Sequence, residues 1–187
     1  APASPKFDLP TAASAAKLDD ASETVRRGAI RWLGHSGSEK AVDRLQRISR
    51  AEGPLRSLAA LALARILPSL RLVECWRDGQ DIVARMRLTN HAGSSLRLGR
   101  NSGDIVNWNV EQDWNGSTVV LSPSSEYSLV FFLSELTAGE SFEFDARISA
   151  SRFLPASKLA FRVTCQIHTM ESEESARIAS DRMEPPK

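Results

Sequence analysis

Along residues 11–67 apolar side chains recur every three or four positions, and from about Ser69 they alternate one by one. The first spacing is that of amphipathic helices and the second that of half-buried strands. The helical pattern stops at Pro68, where a residue without an amide hydrogen ends a helix. After it come short runs separated by Gly, Asn and Ser, among them "LRLVECW", "DIVARMRLTN", "STVVLS", "SFEFDARIS" and "KLAFRVTCQIH". Such runs predict an antiparallel sandwich or barrel. Within them Ile82, Ala84, Met86 and Leu88 share one face, as do Phe142, Phe144, Ala146 and Ile148. Leu159, Phe161, Val163, Cys165 and Ile167 form a third such face, while Glu143, Asp145 and Arg147 point the other way.

The helical half contains an echo. "VRRGAIRWL" from Val25 and "LRSLAALAL" from Leu55 align at a spacing of 30 residues. Between them Ala41, Val42, Leu45 and Ile48 form the apolar face of a further helix. The stretch resembles short HEAT-like repeats of the kind found in phycobilisome-lyase proteins, in which a VRxxAxxxLG helix, a Gly-Asp turn and an xxAVxxL helix follow one another. The resemblance implies that Gly34 ends the first helix, that Gly37-Ser38 replaces the turn, and that Ser38 caps the second helix. In the β-half, a strand ending in "LTN" and the later turn "LTAGES" look like the immunoglobulin-like sandwiches appended to many bacterial exported proteins. The expected fold is therefore segregated α+β: a short helical HEAT-like segment followed by an antiparallel immunoglobulin-like β-sandwich. The expected parts are an extended arm (1–10), a helical segment (11–67), a sandwich (69–170) and a C-terminal tail (171–187).

"GHSGS", residues 34–38, imitates the Gly-His-Ser-x-Gly elbow that presents a serine nucleophile. That elbow needs a strand before the serine, to strain the turn and expose the hydroxyl. Here the preceding residues have helical period and position 38 is Ser where the elbow has Gly, so a serine hydrolase acting through Ser36 ranks third among the readings. The stretch reads instead as an interhelical turn, with His35 placed to carry partial positive charge at a helix C-terminus.

In "NSGDIVNWNVEQDWNGSTVV" the alternation puts Val106, Trp108, Val110 and Trp114 on one face and Asn107, Asn109 and Glu111 on the other. Trp108, Trp114, Asn107 and Asn109 are the candidate binding residues, as a platform for a glycan or a peptide; the competing assignment buries Trp108 in the core. Two cysteines allow either a bridge between Cys75 and Cys165 or two separate thiols. A bridge would close a loop of about 90 residues, worth about 4 kcal/mol in the chain-entropy model, and needs an oxidising compartment. By strict alternation Cys75 falls on the face opposite Leu70 and Leu72; a bulge near Glu74 would bring it inward.

Composition narrows the function. With 25% charged residues and a net charge of +1, the chain carries no field that would steer a polyanion, and no nucleic-acid partner is expected. No run of apolar residues reaches a membrane-spanning length, which leaves peripheral attachment to a membrane complex as the membrane role considered. Two distant cysteines and three scattered histidines show no metal-ligand spacing. No phosphate loop, dinucleotide fingerprint or paired-carboxylate motif appears, so no cofactor and no catalytic residue is expected. The opening "APASP" has the small-residue character left by removal of a secretory leader, which favours an exported, periplasmic protein over the cytoplasmic alternative. A helical stack this short must cover its apolar faces against something. The leading expectation is a non-enzymatic protein–protein interaction or scaffold protein, an accessory subunit of a larger assembly. An exported glycan- or peptide-binding module is the alternative.

Overall fold

A computed structural model describes residues 15–101, 105–106, 108–114, 117–121, 131–153, 160–169, 174–184 and 186. Among the described residues the named α-helices are α1 (Glu23–Ser36), α2 (Val42–Arg50) and α3 (Arg56–Ile66). Ten strands follow: β1 (Leu70–Asp78), β2 (Asp81–Thr89), β3 (Leu96–Asn101), β4 (Ile105–Val106), β5 (Trp108–Trp114), β6 (Ser117–Leu121), β7 (Phe131–Leu136), β8 (Ser141–Ser149), β9 (Phe161–Thr169) and β10 (Ser175–Ala179).

Helix α1 runs through Gly34 and ends at Ser36, two residues later than the repeat pattern implied. Gly37 terminates it with φ of 67°, a left-handed conformation that glycine adopts without a Cβ clash, and the amides of Gly37 and Ser38 both bond the Leu33 carbonyl. Ser38 precedes a single 3-10 turn, Glu39–Ala41, and its side chain makes no capping hydrogen bond. Gly34 is needed inside the helix because a Cβ there would lie 3.0 Å from both Cα and Cβ of Ala62 on α3. Helix α3 is buried from Ser57 to Ala64, on every side rather than along a stripe. It packs between α1 and α2 and also touches β3, β9 and β10.

The strands form two antiparallel sheets. One has the order β1-β2-β8; the other holds seven strands on the path β4-β3-β9-β5-β6, with β10 added to β9 and β7 to β3. In the small sheet Leu88, Met86, Ala84 and Ile82 lie opposite Phe142, Phe144, Ala146 and Ile148, so one face is apolar. The other face carries cross-strand ion pairs: Arg85 with Asp145 at 2.9 Å, Arg87 with Glu143 at 2.6 Å, and Arg147 with Asp78 at 2.8 Å. These exposed pairs set register more than they stabilise. Asn90, 1% exposed, closes the end of β2: its amide donates to the carbonyls of Ser94 and Leu136, and its oxygen accepts from the Ala92 amide.

The expected fold class needs correction. The helices and sheets are not segregated into a HEAT-like segment and an independent immunoglobulin-like sandwich; the chain is mixed α+β. Leu33, Leu45 and Leu63 from the helices belong to the same buried cluster as Met86, Phe161 and Ile167 from both sheets. The large sheet also branches: β9 takes β3 and β5 end to end, through residues 167–169 and 161–165, and β10 besides. The physical cause is α3, whose all-round apolar surface can be buried only between helices and sheet at once. Residues 175–179, expected within a tail, are the strand β10.

Gly28 and Gly34 share a helix and differ in what surrounds them. Gly28 has nothing within 4 Å of a built Cβ, so Gly28→Ala is expected to gain up to about 1 kcal/mol of helix propensity. Gly34→Val is expected to lose about 1–3 kcal/mol through overpacking on Ala62. Urea melts of both variants check this; equal effects would contradict the close approach of α1 and α3.

Candidate binding groove

The last turns of α1 place Arg27, Arg31 and His35 four residues apart, hence along one stripe of the helix. On α3 the positions Leu58, Leu61, Ala62 and Arg65 recur at helical spacing on the face toward α1. Strand β10 and the residue before it bring Glu174 and Ser175 across the opening. Together Arg31, His35, Leu58, Leu61, Ala62, Arg65, Glu174 and Ser175 line a groove of about 260 Å³. A second hollow of about 420 Å³ shares His35 and Arg65 and continues along Arg177, Ile178 and Ala179.

The electrostatics of the groove are lopsided. Arg31 Nη2 donates to Glu174 Oε1 at 2.6 Å, and Arg27, paired with Glu23 at 2.9 Å, lies 3.9 Å from the same oxygen. Half-buried Arg65 places Nη1 at 3.2 Å from His35 Nε2 and donates Nη2 to the Ser175 carbonyl at 3.3 Å. A guanidinium has no lone pair to offer, so His35 Nε2 accepts and the imidazole is neutral with its proton on Nδ1. Desolvation, and then the neighbouring Arg65 charge, hold His35 below its ordinary 6.5. Desolvation lowers the Arg65 pKa from its usual value, and Glu174 opposes that shift. The positive role expected for His35 at the helix end is thus corrected: beside Arg65 the imidazole is held neutral.

The residues singled out from sequence lie elsewhere. Trp108 is 7% exposed and pairs with Cys165 across β5 and β9, so its indole belongs to the core and offers no platform. Asn109 is half-buried beside a small hollow with Thr164, Cys165, Gln166 and Arg177. Trp114 ends β5 and its side chain lies outside the described residues, as does Asn107 altogether. Ser36 sits in helix α1 and donates its hydroxyl to the Leu33 carbonyl at 3.1 Å, which is no nucleophile elbow. The bridge between Cys75 and Cys165 is not formed. Both are free thiols, on strands of different sheets, and burial pushes Cys165 up to about 12. A register shift between Leu72 and Glu74 sets Cys75 opposite Ala84, so it packs half-buried against the core. Among the described residues no cluster of three His, Cys, Asp or Glu could hold a metal, and no helix is long and apolar enough to cross a membrane.

No family model matches the chain, and no curated protein matches it. Among solved structures, Pseudomonas fluorescens alkylpurine DNA glycosylase AlkC, bound to DNA containing an abasic site analog, aligns at 12% identity and a TM-score of 0.29. The alignment covers 91% of this chain and 52% of that one, so the chain spans about half the length of the protein it matches. The aligned protein is an enzyme, and the expectation of a non-enzymatic chain is withdrawn on that finding. A likeness of this size brings neither a reaction nor a substrate with it.

One further polar cluster supports the groove from behind. Glu111, its side chain 4% exposed, is clamped by Arg162 at 2.7 Å and by Arg177 of β10. Sequence alternation placed Glu111 on an outer face; β10, laid along β9, brings the Arg177 that helps to cover it.

Two outcomes follow. Replacing both Arg162 and Arg177 by Met leaves a buried carboxylate without cations and is expected to cost about 3–5 kcal/mol, read by urea denaturation. For His35, whose folded pKa is lowered, the unfolded chain takes up its proton first as pH falls. Stability from this group is therefore full above about 6.5 and declines as pH drops below it. His35→Gln should lose less stability than the parent between pH 7.5 and 5.5; a greater loss, or an imidazole titrating above 6.5 by NMR, contradicts the assignment.

Proposed function

We propose that the chain is a protein-interaction module, an accessory or scaffold subunit of a larger assembly, and that the groove between α1, α3 and β10 receives a segment of its partner. The supporting observation is the combination of half-buried Arg65, beside the neutral His35, with a floor lined by the largely buried Leu58, Leu61 and Ala62. Apolar floor and polar rim in one concavity are the ordinary anatomy of a recognition site. The exposed large hydrophobics agree with that reading. Leu72 and Val73 lie on β1, which among the described residues pairs only with β2, and Val120 lies on β6, at the end of the large sheet's path. The glycan platform is not retained, because the Trp108 indole is buried.

The test is a photo-crosslinker. His35→p-benzoylphenylalanine places a reactive ketone at the groove; the same substitution at exposed Arg77, in the β1–β2 hairpin, is the control. In extract of the native source, a discrete protein adduct is expected from position 35 and none of that mass from position 77. No adduct from position 35, or the same adducts from both, removes the groove as a docking surface.

A further inference from the structure

We infer that the partner segment is acidic, and that its carboxylate enters the groove in place of Glu174, lying between Arg31 and Arg65 with an adjacent apolar side chain on Leu58 and Leu61. This rests on the reading of the groove as a docking surface and adds its ligand chemistry. The chain already shows the interaction in miniature. A carboxylate from its own backbone segment sits 2.6 Å from Arg31 and 3.9 Å from Arg27. Arg65 feels the Glu174 charge but, among the described residues, makes no hydrogen bond to it. Its hydrogen bonds go to neutral acceptors, an imidazole nitrogen and a backbone carbonyl. Burial penalises its charge, and a carboxylate would relieve that penalty with a charge-assisted bond about twice as strong as a neutral one.

The size and surroundings favour a peptide over a polyanion. A groove of about 260 Å³ holds one or two side chains, and its cations stand beside leucine side chains rather than in a row. Several other arginines are already matched: Arg85 by Asp145, Arg87 by Glu143, Arg147 by Asp78, and Arg162 and Arg177 by Glu111. A nucleic-acid footprint needs several cations spaced along a backbone, and the groove's lining residues include only two arginines, Arg31 and Arg65. Glu174 is only partly buried, and an ion pair with exposed Arg31 is worth little in water, so a competing carboxylate can displace it.

A fluorescein-labelled peptide of alternating Glu and Leu, titrated with the full chain and read by anisotropy, tests this. Binding is expected, with its Gln-for-Glu counterpart failing to bind. Arg31→Gln and Arg65→Gln should each weaken binding about tenfold. Glu174→Gln should strengthen it several-fold by vacating the arginines, an effect that a merely structural Glu174 would not produce. Arg31 is exposed, so its variant keeps the fold and keeps the test decisive should Arg65→Gln unfold the chain. Equal binding of the Gln peptide, weaker binding by Glu174→Gln, or displacement of the peptide by a DNA duplex at equal charge would each overturn the inference. A position-35 crosslink that persists alongside any of these would leave the docking surface standing and remove only its acidic ligand.

Discussion

Helix α1 lies on α3 so closely that at Gly34 the space for a methyl group is already taken by Ala62. That approach sets the geometry of everything nearby. One residue further along, His35 is brought beside Arg65, one turn beyond Ala62 on α3, where desolvation first and the Arg65 charge second hold the imidazole below its ordinary 6.5. The groove opens beside this close crossing of α1 and α3.

The second constraint is that α3 has no polar side. An isolated helix with such a surface would not remain in water, and three elements share the work of covering it: α1 and α2 on one side, and the β3-β9-β10 part of the large sheet on the other. Strand β10 serves twice. Its inward Ala176 and Ile178 complete the core, while its outward Arg177 turns to Glu111, and Glu174 and Ser175 just ahead of them close the groove. Helix packing, sheet and groove are therefore coupled through one short strand near the C-terminus.

Local periodicity made much of this legible. The alternation of Phe161, Val163, Cys165 and Ile167 marked residues that are all buried, and Ile82, Ala84, Met86 and Leu88 likewise. The bulge that turns Cys75 inward lies where strict alternation broke, at Val73. What escaped was long-range. "SARIA" carries too few apolar residues to announce a strand, because its stability comes from pairing with β9 rather than from its own side chains. Trp108 had the same alternation as a surface aromatic would have, and only its place in the shared core cluster of the fold decides that it is buried.

The sequence by itself determined that a helical part precedes a β-rich part, which faces of β2, β8 and β9 are apolar, and that "GHSGS" leads into an interhelical turn, because these depend on neighbours within a few residues. Tertiary structure alone decided that helices and sheets share one core, that Cys75 and Cys165 stand on different sheets, and that Arg31, His35, Arg65 and Glu174 meet. Those residues span more than 140 positions of chain, from Arg31 to Glu174, and no local pattern encodes a contact across that distance. Their meeting follows from the burial of α3, a property of the whole fold.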